Sequence, residues 1–164
     1  MFDKLKQAFG LVNKKNVILA PIEGYVCPLS EVSDPTFSQE ILGKGVAIKP
    51  KKGRVVSPVN GTVTIMFDTK HAISITTESG AELLIHIGLD TVNLRGEHFK
   101  SYVKAEDKVK IGDLLLEFDI DKIRDAGYDV ISPIIICNSA DYAAIDTTTG
   151  KDVNELEEVI NIKN

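Results

Sequence analysis

Phe2, Leu5, Phe9 and Val12 recur at three- and four-residue spacing, the single apolar stripe of a short amphipathic helix. After Asn16 the rhythm changes. The runs NVILA, YVCPL, GVAIK, RVVS, GTVTIMF, AISITT, AELLIHIG and DLLLEFD are short and rich in Val, Ile and Thr, and Gly, Pro, Asn or Asp separate them. That series predicts an all-β chain, an antiparallel β-sandwich or barrel. Two short helical segments interrupt it. In SDPTFSQEILGKG, Ser33 or Asp34 caps, Pro35 suits the first helical position and Gly43 ends the helix. DIDKIRDAG has the same form, with Gly127 as the stop.

A faint repeat runs through the strands. ILAPIEGYV (18–26) and VVSPVNGTV (55–63) share the form apolar-apolar-small-Pro-apolar-x-Gly-x-Val. Each Pro removes a ladder donor and each Gly permits a sharp turn, so each copy reads as strand, turn, strand. Two related halves sharing one core are expected. VKIGDLLLEFD (109–119) adds another turn into a strand at Gly112 and Asp113.

The chain has 164 residues, enough for one domain with a substantial core. Its net charge of -5 disfavours broad nucleic-acid binding. Cys27 and Cys137 stand in unrelated contexts and form neither a disulfide framework nor a zinc motif. A reduced cytoplasmic setting is the expectation. No apolar run is long enough to span a bilayer. Lys4, Lys6, Lys14 and Lys15 add charge to the first helix, so residues 1–15 read either as a loosely packed arm or as a peripheral anchor on anionic lipid.

Chemistry points to the histidines, His71, His86 and His98. HAISITTESGAELLIH (71–86) reads as a hairpin. With Glu78 and Ser79 as a two-residue loop, Thr77 faces Gly80 and the count ends on His71 opposite His86. Opposed side chains stand roughly 4.5–5.5 Å apart at Cβ. A three-residue loop with Gly80 left-handed shifts the pairing by one. Parity assigns Leu83, Ile85 and Ile87 to the core face and Leu84, His86 and Gly88 to the other. His71 shares its nominal face with Ile73 and Ile75, a conflict that a break near Lys70 resolves. Adjacent imidazoles disfavour double protonation, so at least one stays neutral near pH 7. Thr69 is placed to fix the tautomer of His71, and the Gly88 carbonyl that of His86.

Three readings follow. The first is phosphoryl transfer, with His86 attacking phosphorus and His71 holding phosphate oxygens. The second is a zinc-dependent hydrolase of a related duplicated hybrid fold, with Asp90 joining the histidines as ligand. It lacks a His-x-His or His-Glu-x-x-His element. The third is a carrier-type binding module, because biotin- and lipoyl-carrier domains repeat a similar Pro-Gly pattern. The Met-Lys-Met and Asp-Lys-Ala attachment signatures of such modules are missing.

The segments FDKLK, APIEG, GKGVAIKP, SPVNGTV, TKHAISI, ELLIHIGLDTV, GEHFK, VKIGDLLLEFD and SPIIICN span almost the whole chain. Together they resemble the glucose-type enzyme IIA of the bacterial phosphoenolpyruvate-dependent sugar phosphotransferase system. The resemblance implies a small antiparallel β-sandwich of duplicated hybrid motif over 16–164, after the amphipathic segment 1–15. It implies that His86 takes a phosphoryl group from phospho-HPr on Nε2 and passes it to a cysteine of a permease IIB domain. By the same resemblance His71 supports the phosphate, Thr69 orients His71, and Asp90 lies beside the site. Phe37, Ile41, Phe67 and Val92, with Leu84, correspond to an apolar docking patch. No cofactor and no resident metal are carried over. His98 has no role in the resemblance and reads as a surface residue. Ile73 and Leu84 stand where some relatives carry phenylalanine, which bears on partner preference.

Overall fold

The computed structural model describes residues 16–164. The amphipathic helix expected at 1–15 lies outside the described residues. In chain order the elements are β1 (Val17–Leu19), β2 (Gly24–Pro28), α1 (Pro35–Ser38), β3 (Lys44–Pro50), β4 (Arg54–Val56), β5 (Gly61–Met66), β6 (Ala72–Thr77) and β7 (Glu82–His86). They continue with β8 (Phe99–Ser101), β9 (Lys108–Val109), β10 (Leu114–Phe118), α2 (Ile120–Asp125), β11 (Ser132–Ile136), β12 (Ala144–Thr147), β13 (Lys151–Val153) and β14 (Glu158–Lys163). Every expected strand has its counterpart. The pattern reading stops short of β8, β9 and β11–β14. Among the described residues no helix is long and apolar enough to cross a membrane.

The strands build an antiparallel sandwich. One eight-stranded sheet runs β13-β2-β3-β11-β7-β6-β5-β9, and two three-stranded sheets run β1-β14-β12 and β4-β10-β8. Strand parity sorts the side chains into two cores. Val46, Ile48, Ile73, Ile75, Leu83, Ile85, Ile134 and Ile136 point inward, in one cluster with Ile18 and Ile160 of one small sheet and Val55 and Leu116 of the other. The alternate residues Cys27, Ala47, Ala72, Leu84 and Ile135 point outward and are covered by Leu29, Val32 and Phe37. Central strands buried on both faces read as unbroken apolar runs, which is why SPIIIC shows no alternation.

The sequence repeat is a quasi-two-fold in the backbone. Leu19 N–H donates to the Pro58 carbonyl at 3.2 Å, and its counterpart Val56 N–H donates to the Pro21 carbonyl at 2.9 Å. The two copies thus clasp each other through the carbonyls of their prolines. Their glycines are needed for close approach: a Cβ at Gly24 would lie 2.2 Å from the Lys49 carbonyl oxygen, and one at Gly61 2.3 Å from that of Thr76. The relation extends to the last strands. Val153 pairs with Gly24 as Val109 pairs with Gly61. Ile18 pairs with Ile160 as Val55 pairs with Leu116. The local axis passes between Ile85 and Ile134, which face each other across β7 and β11.

Two local expectations change. The β6–β7 hairpin has a three-residue loop, because Gly80 takes φ +95° and Thr77 N–H bonds the Ala81 carbonyl at 2.9 Å. Thr77 therefore faces Ala81, and His86 pairs with Ala72 in place of His71. His71 comes one step beyond, its carbonyl accepting from Ile87 N–H at 2.7 Å. The second change is in α1. Asp34 caps it, accepting from Thr36 N–H at 3.0 Å, but the helix ends at Ser38, since Glu40 turns left-handed at φ 56°. Ile41 and Leu42 thus leave the helix and stand exposed.

Candidate functional site

His86 is the last residue of β7. Beyond it the chain turns sharply, with Gly88 at φ +75° and Asp90 at φ +59°. This folds the Gly88 carbonyl back onto the imidazole, 2.8 Å from Nδ1. A carbonyl only accepts, so Nδ1 carries the proton and the neutral ring leaves Nε2 with a free lone pair. Only glycine fits position 88. A Cβ there would meet Thr91 Cγ2 at 2.6 Å and the Asp129 carbonyl oxygen at 2.7 Å, on a backbone that L side chains rarely adopt.

His71 stands just before β6, after Lys70 at φ +58°. That break resolves the parity conflict. An unbroken strand would send the His71 ring inward with Ile73, whereas here it meets His86 edge-on, with centroids 5.0 Å apart and planes at 84°. Thr69 Oγ1 lies 2.6 Å from His71 Nδ1. Phe67 packs on His71 at 5.4 Å and Phe37 on His86 at 5.0 Å. Burial, and then the neighbouring His86, push His71 down to about 4. Burial also lowers His86, opposed by the Gly88 carbonyl and the negative charges of Asp34 and Asp90. Both rings are neutral at pH 7.

Of the residues expected to form an apolar docking patch, Ile41 is 66% exposed, Val92 46% and Phe67, which packs on His71, 37%. Leu84 and Phe37 are buried in the outer cluster, so they floor the patch and do not rim it. Asp90 is exposed beside His86, but no group of three or more His, Cys, Asp or Glu side chains able to hold a metal ion occurs among the described residues. The third ligand that the zinc reading needed is not assembled. His98 belongs elsewhere, before β8, with its carbonyl bonded to Asp119 N–H at 3.0 Å.

Sequence reasoning weighed Asp34 only as a helix cap and did not register Thr91 or Asp129. Thr91 and the Asp129 carbonyl bond the turn after His86, and the charge of Asp34 acts on the His86 ring. Ile65 was also missed. Read by strand alternation from Val63 it points inward. A bulge between Val63 and Ile65 sets it beside Ser74 on the outer face, 48% exposed.

The model of the phosphoenolpyruvate-dependent sugar phosphotransferase system EIIA 1 family matches residues 16–142. The chain belongs to that family. It is 47% identical over 154 residues to the glucose-specific EIIA component of Oceanobacillus iheyensis, covering 90% of this chain and 92% of that protein. It is 54% identical over 129 residues to the beta-glucoside-specific EIIBCA component of Bacillus subtilis, covering 79% of this chain and 21% of that protein. The chain thus spans about a fifth of the length of the second relative. Among solved structures, glucose permease IIA from Mycoplasma capricolum matches with a TM-score of 0.76 at 36% identity, covering 88% of this chain and 94% of that one. The EIIA sandwich expected from the sequence is the fold observed. The zinc-hydrolase alternative finds no support among these relatives.

Proposed function

We propose that this EIIA chain carries a phosphoryl group on His86 Nε2, accepting it from phospho-HPr and passing it to a cysteine of a permease IIB domain. One observation carries the assignment to His86: its Nδ1–H is committed to the Gly88 carbonyl, so the nucleophilic lone pair sits on Nε2, beside His71. As the new N–P bond forms, the donor's bond to phosphorus breaks and positive charge develops on the His86 ring. The Gly88 carbonyl and the carboxylates of Asp34 and Asp90 stabilise that charge. With the Thr69 hydroxyl donating to Nδ1, His71 keeps its proton on Nε2 and offers it to a phosphoryl oxygen. A neutral donor suits this task, because it does not add a second cation beside the charging His86 ring. Onward transfer reverses these steps toward the acceptor sulfur.

The exposed Ile41, Phe67 and Val92 support docking. An apolar rim lets a protein partner seal the site from water while phosphorus moves. Fusion of EIIA to B and C components in the B. subtilis relative supports a IIB-type acceptor. The relatives' names point to glucose or beta-glucosides, and the acceptor pair to test is therefore one IIB domain of each kind. The site of action is the cytoplasm, with residues 1–15 either a loosely packed arm or a peripheral anchor on anionic lipid. Flotation on anionic liposomes with and without those residues tests the anchor, and equal flotation removes it.

Incubation with phosphoenolpyruvate, enzyme I and HPr should yield acid-labile phosphate on the chain. Normal labelling of His86→Ala sinks the assignment. His71→Gln should still accept phosphate but pass it on more slowly. Equal loss of both steps contradicts a supporting role.

A further inference from the structure

The loop after His86 is pinned more heavily than a surface turn needs to be. Ile87 N–H donates to the His71 carbonyl at 2.7 Å, which ties the backbones of the two histidines together. The Ile87 carbonyl, which a continued ladder would offer to β6, instead accepts the hydroxyl of Thr91. Leu89 N–H donates to the Asp129 carbonyl at 3.0 Å. The peptide units before and after Gly88 are therefore both held. The Gly88 carbonyl belongs to the second of these units and receives only the His86 Nδ1–H among the bonds described. Thr91 is fully buried. Its hydroxyl reaches back four residues, and its methyl group occupies the space that a side chain at position 88 would fill.

We propose that Thr91 is a positioning residue for phosphoryl transfer: its hydroxyl fixes the 87–88 peptide unit on one side of Gly88, and with the 88–89 unit held by Asp129 on the other, Gly88 cannot turn its carbonyl away from His86 Nδ1, which keeps the lone pair on Nε2. The inference rests on His86 as the phosphoryl acceptor. Its reasoning is geometric. With the 87–88 unit loose, Gly88 is held on one side only, and a carbonyl free to tilt there no longer selects one imidazole tautomer; the two tautomers differ little in an unbiased ring. Without the Thr91 bond, part of the protein holds its proton on Nε2 and cannot attack phosphorus there. Burial makes the device effective, since no water competes for the Ile87 carbonyl. Thr91 also differs in kind from Thr69. Thr69 is hydrogen-bonded to an imidazole, whereas the Thr91 hydroxyl is bonded to the Ile87 carbonyl and acts on His86 through the backbone.

The test uses the full chain, with Thr91→Val, which keeps the branched shape and loses the hydroxyl, and Thr91→Ser, which keeps the hydroxyl and loses the methyl. Two-bond proton–nitrogen correlation spectra of histidine-labelled protein read the His86 tautomer without any phosphoryl donor. The unmodified chain should show chiefly the Nδ1–H form. Thr91→Val should raise the Nε2–H fraction several-fold and slow phosphoryl acceptance from phospho-HPr about tenfold. Thr91→Ser should restore both. A Thr91→Val protein with an unchanged tautomer overturns the proposal, as does a loss of thermal stability with an unchanged acceptance rate. So does a serine variant that stays as impaired as the valine one. If the unmodified chain takes up no phosphate at all, the His86 assignment fails, while the tautomer comparison still decides whether Thr91 orients the ring.

Discussion

At the scale of single residues, the site depends on backbone conformations that few side chains tolerate. Gly88→Ala places a methyl group against Thr91 and the Asp129 carbonyl at positive φ. It should cost about 2–4 kcal/mol by urea denaturation and displace the carbonyl that holds His86. The buried His71 makes a prediction about acid. Its ordinary value of 6.5 applies to the unfolded chain, and folding lowers it to about 4. Between those values the unfolded state binds the extra proton. The stability from this group is therefore whole above pH 6.5, falls as pH drops toward 4, and changes no further below that. Unfolding free energy should drop by about 2–3 kcal/mol between pH 7.5 and 4.5 from His71. His71→Gln, measured alongside, should show a flatter profile by that amount. Equal slopes would mean that His71 already titrates normally in the fold.

At the scale of elements, one short helix serves two purposes. Asp34 caps α1 through Thr36 N–H, and α1 presses Phe37 against His86. The same carboxylate raises His86 by its charge. Substitutions separate the two effects. Asp34→Asn keeps a capping oxygen and should hold stability, while His86 titrates lower by NMR. Asp34→Ala should lower His86 equally and also cost about 1 kcal/mol of stability. The β6–β7 hairpin teaches a related lesson. Its sequence predicts two strands and a turn containing Gly80, and both form. The loop length, and so which residue faces His86, depends on Gly80 entering the left-handed region. The imidazoles meet all the same, because the break at Lys70 swings His71 across.

At the scale of the whole molecule, the duplicated pattern determines where stability concentrates. Ile85 and Ile134 face each other at the local axis, both fully buried between the large sheet and the two small ones. Ile85→Ala and Ile134→Ala should each cost about 2–5 kcal/mol. Because the two share one contact region, the double variant should deviate from the sum of the singles. Strict additivity in denaturation midpoints would show that the axis pair is not one packing unit. The quasi-symmetry stops at the chemistry. The position related to His86 is Ile135, and that related to His71 is Lys44, so only one half of the duplicated frame carries the pair.

Much of this was legible in the chain. Alternation and punctuation specified the first seven strands and β10, because period-two burial and turn residues are local properties. The Pro-Gly repeat announced two related halves, since each copy makes its own turn. The core face of β7, with Leu83, Ile85 and Ile87, followed from parity alone. The LIHIG stretch also placed the Gly88 carbonyl within reach of His86, a contact two residues long. What lay beyond the sequence was set by long-range packing. β11 is buried on both faces and shows no period. Leu84 and Phe37 sink beneath the patch because the segment 29–37 folds over the outer face of the large sheet. Ile65 turns outward through a bulge that costs one unpaired residue and leaves no mark on composition. The sequence by itself determined an EIIA sandwich with two histidines near one hairpin, at least one of them neutral. Tertiary structure decided which of the locally allowed hairpin loops forms and hence their register, the Asp129 pin on the turn after His86 and which apolar residues reach solvent, because local sequence leaves more than one form open and packing selects among them.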